Sequence, residues 1–260
     1  MNTSVRALLL AACLAFILAP AETASAQQPE ILVLCSNGIR AAVEKLVPEY
    51  ERSMGRSIKV QFGASAGFKR SIEGGEPFDL AILTPPIIED LIKHGKVAQG
   101  TGVDLASSGI GIAVRAGLPK PDVSTAEAIK ETLLRAKSIG YVQVGAGTPA
   151  ILDMLKRLGI NEDVQRKAVF QPGAERSMAS VAAGQVDVAF ALISEIVPAS
   201  GVQLAGPFPP EFQKRIVMTA GISSTTKNRA AANQIIQSLA SAAAATTIKA
   251  TGLDPIAKEQ

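Results

Sequence analysis

The stretch "ILVLCSNGIRAAVEKLVPEYERS" (residues 31–53) joins two kinds of local structure in one short unit. Apolar and β-favouring residues run as far as Ser36, and after Asn37-Gly38 the apolar residues recur with the spacing of a helix. In α/β proteins, ligands bind where a strand ends and turns into a helix. This turn offers one amide and one glycine but no acidic side chain, so it is a candidate ligand site whose specificity is open.

The same unit is repeated along the chain. Strand patterns "IKVQFG" (58–63) and "FDLAILT" (78–84) also end in small polar turns that precede helices, and the rhythm resumes after a proline-rich loop with "SIGYVQV" (138–144), "KAVFQ" (167–171) and "VDVAFAL" (186–192). Alternation of this kind favours parallel βαβ units. The sequence therefore predicts two α/β lobes with a ligand cleft between them, and a single continuous sheet is the alternative.

Long strands near 109–115 and 215–222 are the predicted chain crossings between these halves. The predicted domains follow from them: a signal peptide (1–26), a first lobe (27–108 plus 218–260) and a second lobe (109–217). The last two predicted helices are expected to pack on the first lobe, which has fewer helices of its own.

The N-terminus has the pattern of an export signal. One positive charge is followed by the apolar run "ALLLAACLAFILA", which is too short to span a bilayer, and Ala24-Ser25-Ala26 offers a cleavage site. Cleavage there predicts a periplasmic protein. The alternative is lipoprotein processing, with acylation at Cys13, which would leave an apolar segment at the start of the mature chain.

Composition narrows the function classes. The 260-residue chain has a formal charge of +3, 4% aromatic residues and one histidine, and it contains no basic block with interleaved aromatics, so nucleic acid is not an expected partner. It contains no His pair, Cys cluster or D-x-D loop, so no metal or cofactor is expected. After cleavage Cys35 would stand alone, and the residues predict a buried thiol there.

The turns supply the candidate ligand residues. "GAGTPA" (145–150) before a helix is a plausible anion cradle, because glycines admit a close approach and a helix start presents free N–H groups. Thr148 has the alternative role of helix N-cap, and Ser65 the alternative of capping a helix that starts near Gly67. Arg176, in the first turn of a predicted helix, is a candidate for a carboxylate contact, with pairing to Glu175 as the alternative. The predicted ligand-binding set is Asn37, Gly38, Ser65, Thr84, Gly147, Thr148 and Arg176.

Catalytic residues are not identified by any motif. The stretch "GASAG" (63–67) has the G-x-S-x-G spacing, but the one histidine, His94, cannot be assigned to its serine, so no Ser-His pair is predicted. Glu195 follows the strand pattern at 186–192 and is a candidate for the cleft without an assigned role.

Two stretches carry a resemblance to a known family. "FGASAGFKRSIEGGEPFDLAIL" (62–83) and "IKATGLDP" (248–255) resemble the molybdate-binding family of ABC-importer receptors, and the likeness extends over about 30–255. The resemblance implies a type 2 periplasmic-binding-protein-like fold, a monomer, and a small anion bound between the lobes for an inner-membrane ABC permease.

The ligand set of that family is only partly kept. Its second-turn serine corresponds to Ser65, and its backbone donors fall on Gly147 and Ala174, but its first-turn serine falls on Gly38 and its tyrosine on Leu192. Because a hydrogen bond to a charged ligand contributes about 1.5–3 kcal/mol, two losses predict oxyanion binding weaker by roughly two to four orders of magnitude. An organic carboxylate is therefore expected instead, held by the Asn37 amide in space cleared by Gly38.

A branch of the same family contains exported aconitate isomerases, and "DLASSGIGIAVRAGLPKPD" (104–122) and "AKSIGY" (136–141) resemble that branch. The leading prediction is a receptor for a small organic anion, and the first alternative is isomerisation of cis- and trans-aconitate in the same cleft. An isomerase needs a base, which no motif identifies, and cations, for which Arg176, Lys69 and Arg70 are candidates. A molybdate or tungstate receptor is the remaining alternative.

Overall fold

The computed structural model describes residues 30–256, so the predicted signal peptide and Cys13 lie outside the described residues. The described chain builds two separate β-sheets. Strands of the first sheet are β1 (Ile31–Ser36), β2 (Ile58–Gly63), β3 (Leu80–Leu83), β4 (Val103–Ser108), β10 (Ile216–Ile222) and β11 (Asp254–Pro255). Their spatial order is β11-β4-β10-β3-β1-β2.

The second sheet is formed by the middle of the chain. Its strands are β5 (Ile110–Arg115), β6 (Ile139–Val142), β7 (Ala168–Gln171), β8 (Val188–Leu192) and β9 (Val202–Pro207). Their order is β7-β6-β8-β5-β9. Two sheets in place of one continuous sheet confirm the two-lobe prediction, whereas the lobe boundaries at 108 and 218 stay a prediction.

Helices connect the strands in both lobes. In the first lobe a short 3-10 turn (Asn37–Ile39) leads into α1 (Arg40–Met54), and the other helices are α2 (Ser65–Glu73), α3 (Pro85–Lys93), α9 (Arg229–Leu239) and α10 (Ala242–Ala250). The second lobe contains α4 (Ala126–Arg135), α5 (Thr148–Arg157), α6 (Asn161–Gln165), α7 (Ala174–Ala182) and α8 (Ile193–Ile196). As predicted, α9 and α10 pack on the first lobe, where both contact α1. None of the helices within 30–256 has the length and apolar character that a bilayer crossing requires.

Parallel pairing accounts for only part of each sheet. β1 pairs in parallel with β2 and β3, and β6 pairs in parallel with β7 and β8. β10 is antiparallel to β3 and β4, and β5 is antiparallel to β8 and β9. The chain enters β5 and β10 directly from the other lobe. Neither strand is preceded by the long helical connection that joins parallel neighbours, and both pair antiparallel with their neighbours.

The two crossings are short and are joined to each other. Gly109 alone separates β4 from β5, and 208–215 lead back from β9 to β10, so β5 and β10 coincide with the strands predicted near 109–115 and 215–222. The Gln213 side chain accepts from Ile110 N (2.8 Å) and donates to Ile110 O (2.9 Å). A Cβ at residue 109 would lie 3.2 Å from the Gln213 amide, so the glycine allows this close approach.

Aromatic packing forms the centre of the second lobe. The Phe190 ring lies 6.0 Å from Tyr141 and 5.7 Å from Phe208, measured between centroids, and all three side chains are buried. The Tyr141 hydroxyl accepts from Gln165 Nε2 at 2.6 Å, so its buried polar group is satisfied. This cluster holds β6 and β8 beside the crossing strand β5.

Candidate functional site

A cavity of about 430 Å³ lies between the two sheets. All six parallel strands of the two lobes end at it, as expected for ligand sites in α/β proteins. Its volume is in the range of small-molecule sites. Six of the seven residues predicted from the sequence line it: Asn37, Gly38, Ser65, Thr84, Gly147 and Thr148.

Ser65 has the clearest character of a ligand donor. It is the first residue of α2, it is 7% exposed, and its Oγ lies buried without a hydrogen-bond partner. A buried hydroxyl is normally satisfied, so an unpaired one in a cavity wall indicates a group that a ligand completes. The alternative in which Ser65 caps a helix near Gly67 is wrong, because the helix already begins at Ser65.

Gly38 lines the cavity, but not for the reason predicted. A Cβ at this position would lie 2.2 Å from Met218 Cε and 3.0 Å from Leu192 Cδ1. The interpretation that the glycine clears space for a bulkier ligand is therefore wrong, since these two side chains fill that space. Gly38 instead permits close packing of the first turn against the second lobe, where Ser194 Oγ donates to Gly38 O at 2.7 Å.

The remaining first-lobe positions offer side-chain groups. Asn37 is partly buried in the cavity wall, and Thr84 is the N-cap residue of α3 without a side-chain capping bond. Because α3 starts with Pro85-Pro86, its first two residues have no N–H to offer a ligand. We therefore expect the contribution of this strand end to come from the Thr84 hydroxyl.

In the second lobe the predicted anion cradle is present, with a different role for its threonine. Gly147, not Thr148, is the N-cap residue of α5. The Thr148 hydroxyl donates to Val142 O (2.8 Å) and accepts from Gly145 N (3.0 Å), so its proton is already used to close the loop. Backbone N–H groups at the loop and helix start remain the donors to consider here.

Among the helices of at least nine residues, α2, α3, α5 and α7 start on the cavity without a side-chain cap. Because α3 begins with two prolines, the three starts that can present their first N–H groups belong to α2, α5 and α7. Each helix start carries a partial positive charge of about half a unit, together with N–H groups that have no partner within the helix. With the unpaired Ser65 hydroxyl, these starts make the cavity suited to an anion.

Glu195 is the one ionisable side chain among the residues that line the cavity in the described part of the chain. It lies in α8, three residues after β8, and one carboxylate oxygen accepts from Leu192 N at 3.2 Å. Burial raises the pKa of Glu195 to about 7, against the opposing effect of that hydrogen bond. A carboxyl group that changes its charge near neutral pH is suited to proton transfer.

The cations expected at the site lie elsewhere. α7 buries Ala174, Ser177, Met178 and Val181, and Arg176 lies on its exposed face, outside the cavity lining. Lys69 pairs with Glu73 and Asp90 on the surface, and Arg70 is exposed. The expectation that these side chains neutralise a ligand in the cavity is therefore not supported by their placement.

Arg40 links the lobes beside the cavity. It pairs with Glu44 (2.7 Å) in its own helix and with Glu175 (3.1 Å) at the start of α7. These three side chains line a second cavity of about 370 Å³, which shares Asn37, Ala174 and Glu195 with the first. Glu175 thus pairs with Arg40, which the sequence did not indicate.

Other chemistries find no support in the described residues. Cys35 is buried in β1, and burial raises the pKa of its thiol, which disfavours the reactive thiolate. His94 is exposed at the end of α3. No group of three or more His, Cys, Asp or Glu side chains gathers within 30–256 in a way that could hold a metal ion.

Comparison with known proteins gives a consistent picture. A family model described as "Bacterial extracellular solute-binding protein" matches residues 31–254. The chain is 31% identical to an aconitate isomerase of a Pseudomonas species over 248 residues, which is 93% of this chain and 94% of the relative. It is 24% identical to the molybdate-binding protein ModA of Azotobacter vinelandii over 88% of this chain and 91% of that one.

The solved structures agree with the fold. The periplasmic molybdate-binding protein of Azotobacter vinelandii superposes with a TM-score of 0.72 at 20% identity, over 86% of this chain and 98% of that one. The sulfate-binding protein SubI of Mycobacterium tuberculosis H37Rv gives a TM-score of 0.69 at 19% identity, with 87% of each chain covered. These likenesses confirm the two-lobed, type 2 periplasmic-binding-protein-like fold.

Proposed function

This chain belongs to the family of bacterial extracellular solute-binding proteins, and on that basis we propose that it is an exported isomerase that interconverts cis- and trans-aconitate in the cavity between its lobes. The observation that carries the proposal is Glu195, a carboxyl group in the cavity wall with a pKa of about 7. An acid–base catalyst needs a group that ionises near working pH, and Glu195 is such a group in the cavity wall. The 31% identity to an aconitate isomerase supports the same assignment.

The reaction needs one proton acceptor and no oxidant or reductant. The ionised Glu195 carboxylate takes a proton from the methylene carbon of aconitate, and the electron pair of that C–H bond moves into the neighbouring position as the double bond shifts. Glu195 then returns the proton to the far carbon of the three-carbon system. The atoms and charge of the substrate are unchanged, and the geometry of the new double bond decides whether the product is cis or trans.

Binding of the tricarboxylate falls to neutral donors. Three uncapped helix starts and the unpaired Ser65 hydroxyl face the cavity, and Asn37 adds an amide. The partial charges of the helix starts sum to roughly one and a half positive charges, which offsets part of the negative charge of the ligand. This arrangement resembles oxyanion binding by backbone groups more than binding by paired arginines.

A turnover assay tests the proposal. Purified protein is incubated with trans-aconitate, and cis-aconitate is followed by chromatography. We expect conversion by the native protein, and a kcat at least about 100-fold lower in Glu195→Gln, because a positioned acid–base group contributes that much or more. Glu175→Gln removes an acid of the adjoining cavity and is the matched control, with kcat near the native value.

Absence of conversion in either direction, with the saturated analogue tricarballylate still binding, would refute the isomerase. The protein would then be the receptor that forms the second candidate: a periplasmic, monomeric protein that captures a small anion for an ABC permease. The neutral donor set of the cavity favours this candidate, because it holds an anion without requiring chemistry. Thermal-shift measurements with molybdate, tungstate, sulfate, citrate and both aconitates rank its ligands, and stabilisation by molybdate alone would refute the preference for a carboxylate.

A further inference from the structure

We propose that the cavity binds its anion together with one proton, which is held on the Glu195 carboxyl and shared with the bound anion. This co-binding rests on the proposed anion site and is independent of turnover. Glu195 then determines specificity, because the ligand binds preferentially to the protein in which this carboxyl is protonated.

The geometry leaves an incoming anion no other charged partner among the described residues of the cavity lining. Glu195 is the one ionisable side chain there, and it is negative when ionised. Leu192 N donates to one of its carboxylate oxygens at 3.2 Å. A second negative charge in the same partly dehydrated cavity repels the carboxylate, whereas the protonated carboxyl donates a hydrogen bond to it.

The charged groups around α8 do not relieve this repulsion. The neighbouring cavity is lined by Arg40 and Glu44 of α1 and by Glu175 of α7. Arg40 already pairs with both of these acids. Arg176, also in α7, lies on the exposed face of that helix. The 3-10 turn, β8 and β9 contain no ionisable side chain, and that of β5 is Arg115, at the strand end remote from the cavity.

Binding and protonation are then linked, and each strengthens the other. Because the pKa of Glu195 is about 7 in the free protein, the carboxyl is half protonated at neutral pH and ionised at pH 9. If the protonated form binds far more tightly than the ionised one, the affinity falls by up to about 50-fold between pH 7 and pH 9, and the weakly bound ionised form is the one that would turn over. At pH 8 and above, each bound anion brings with it nearly one proton from solution.

Calorimetric titration with tricarballylate measures both quantities without turnover, because this analogue has no double bond to shift. Titrations at pH 7, 8 and 9, each in two buffers of different ionisation enthalpy, give the affinity and the number of protons taken up. We expect close to one proton per anion at pH 8 in the native protein and in the control Glu175→Gln. Glu195→Gln should bind at every pH with constant affinity and no uptake, since its amide donates permanently.

Each outcome decides the matter. Affinity that does not change with pH, or equal proton uptake by Glu195→Gln, refutes the co-binding. Failure of tricarballylate to bind at any pH refutes the anion site and the co-binding with it. Proton uptake without conversion of trans-aconitate supports the co-binding and refutes the isomerase activity. Conversion of trans-aconitate without proton uptake supports the isomerase activity and refutes the co-binding.

Discussion

Ser194 Oγ donates a 2.7 Å hydrogen bond to Gly38 O, which joins α8 of the second lobe to the first turn of the first lobe. Both partners are buried, and the adjacent residues Asn37 and Glu195 line the cavity. Contact between the lobes and access to the ligand site are therefore coupled through neighbouring residues.

Ser194→Ala should weaken ligand binding, because it removes a hydrogen bond that joins the two lobes beside the cavity. The loss of one buried hydrogen bond costs about 1 kcal/mol, and with Gly38 O left unpaired the affinity for tricarballylate should fall about fivefold or more. Calorimetry measures the affinity, and Ser200→Ala, at an exposed position of the same region, serves as the control. An unchanged affinity would mean that this bond does not contribute to the bound state.

Ser65→Ala should reduce affinity and leave the fold intact. The hydroxyl has no partner within the protein, so its removal costs no internal hydrogen bond. Loss of a hydrogen bond to a charged ligand should weaken binding by about 10-fold to 100-fold. Urea unfolding should give the native midpoint, and Ser71→Ala on the same helix should bind normally. A lowered midpoint with native affinity would contradict the ligand role.

Arg176→Ala should have little effect on binding. The side chain is exposed on the far face of α7 and does not line the cavity. We expect the affinity for tricarballylate to stay within about twofold of the native value, since an isolated exposed charge contributes little. A large loss would show that the arginine reaches the ligand and would restore the role predicted from sequence.

The value of kcat/KM should rise as the pH increases through about 7 and then level off. The base form of Glu195 is the ionised one, so the reactive fraction of free enzyme increases as the pH rises through about 7. Initial rates with trans-aconitate from pH 5.5 to 9 measure this profile. Equilibrium affinity for tricarballylate should change in the opposite direction. A kcat/KM that falls across neutral pH would contradict Glu195 as the base.

Stability should also depend on Glu195. Its pKa is about 7 in the folded protein and near 4.5 when unfolded, so between these values the folded state holds the proton more tightly. The free energy of unfolding therefore decreases as the pH rises from 4.5 to 7. The difference in free energy of unfolding between Glu195→Gln and the native protein should therefore move in favour of the variant as the pH rises from 5 to 8. Urea unfolding of both proteins at pH 5 and at pH 8 measures this change. An equal difference at the two pH values would show that the carboxyl is not destabilised by burial.

The sequence allowed the fold and most of the cavity to be predicted, because strand ends are local features. Asn37, Ser65 and Gly147 each come after a strand pattern, and parallel strands bring such positions to one edge. Strands β4, β9 and the two-residue β11 are not predicted by the sequence. β4 and β9 each lie beside a crossing, where the strand pattern merges with that of the neighbouring segment.

The details of the site depend on distant packing. At Gly38 the available space is set by Met218, which is 180 residues away, and no local pattern reports it. Because Arg176 lies in the first turn of a helix, the sequence suggests that its side chain reaches the cavity. The orientation of α7 depends on which of its faces is buried, and that face does not include Arg176. Glu195 is visible in the sequence as a residue after a strand, while its raised pKa results from burial that only the folded chain creates.

Gln213 has a mechanical consequence. Its amide holds Ile110 by both backbone groups, so the outgoing and returning segments between the lobes are fastened together at one point. Independent bending of either segment would break these contacts, so we expect the two segments to bend together when one lobe rotates against the other.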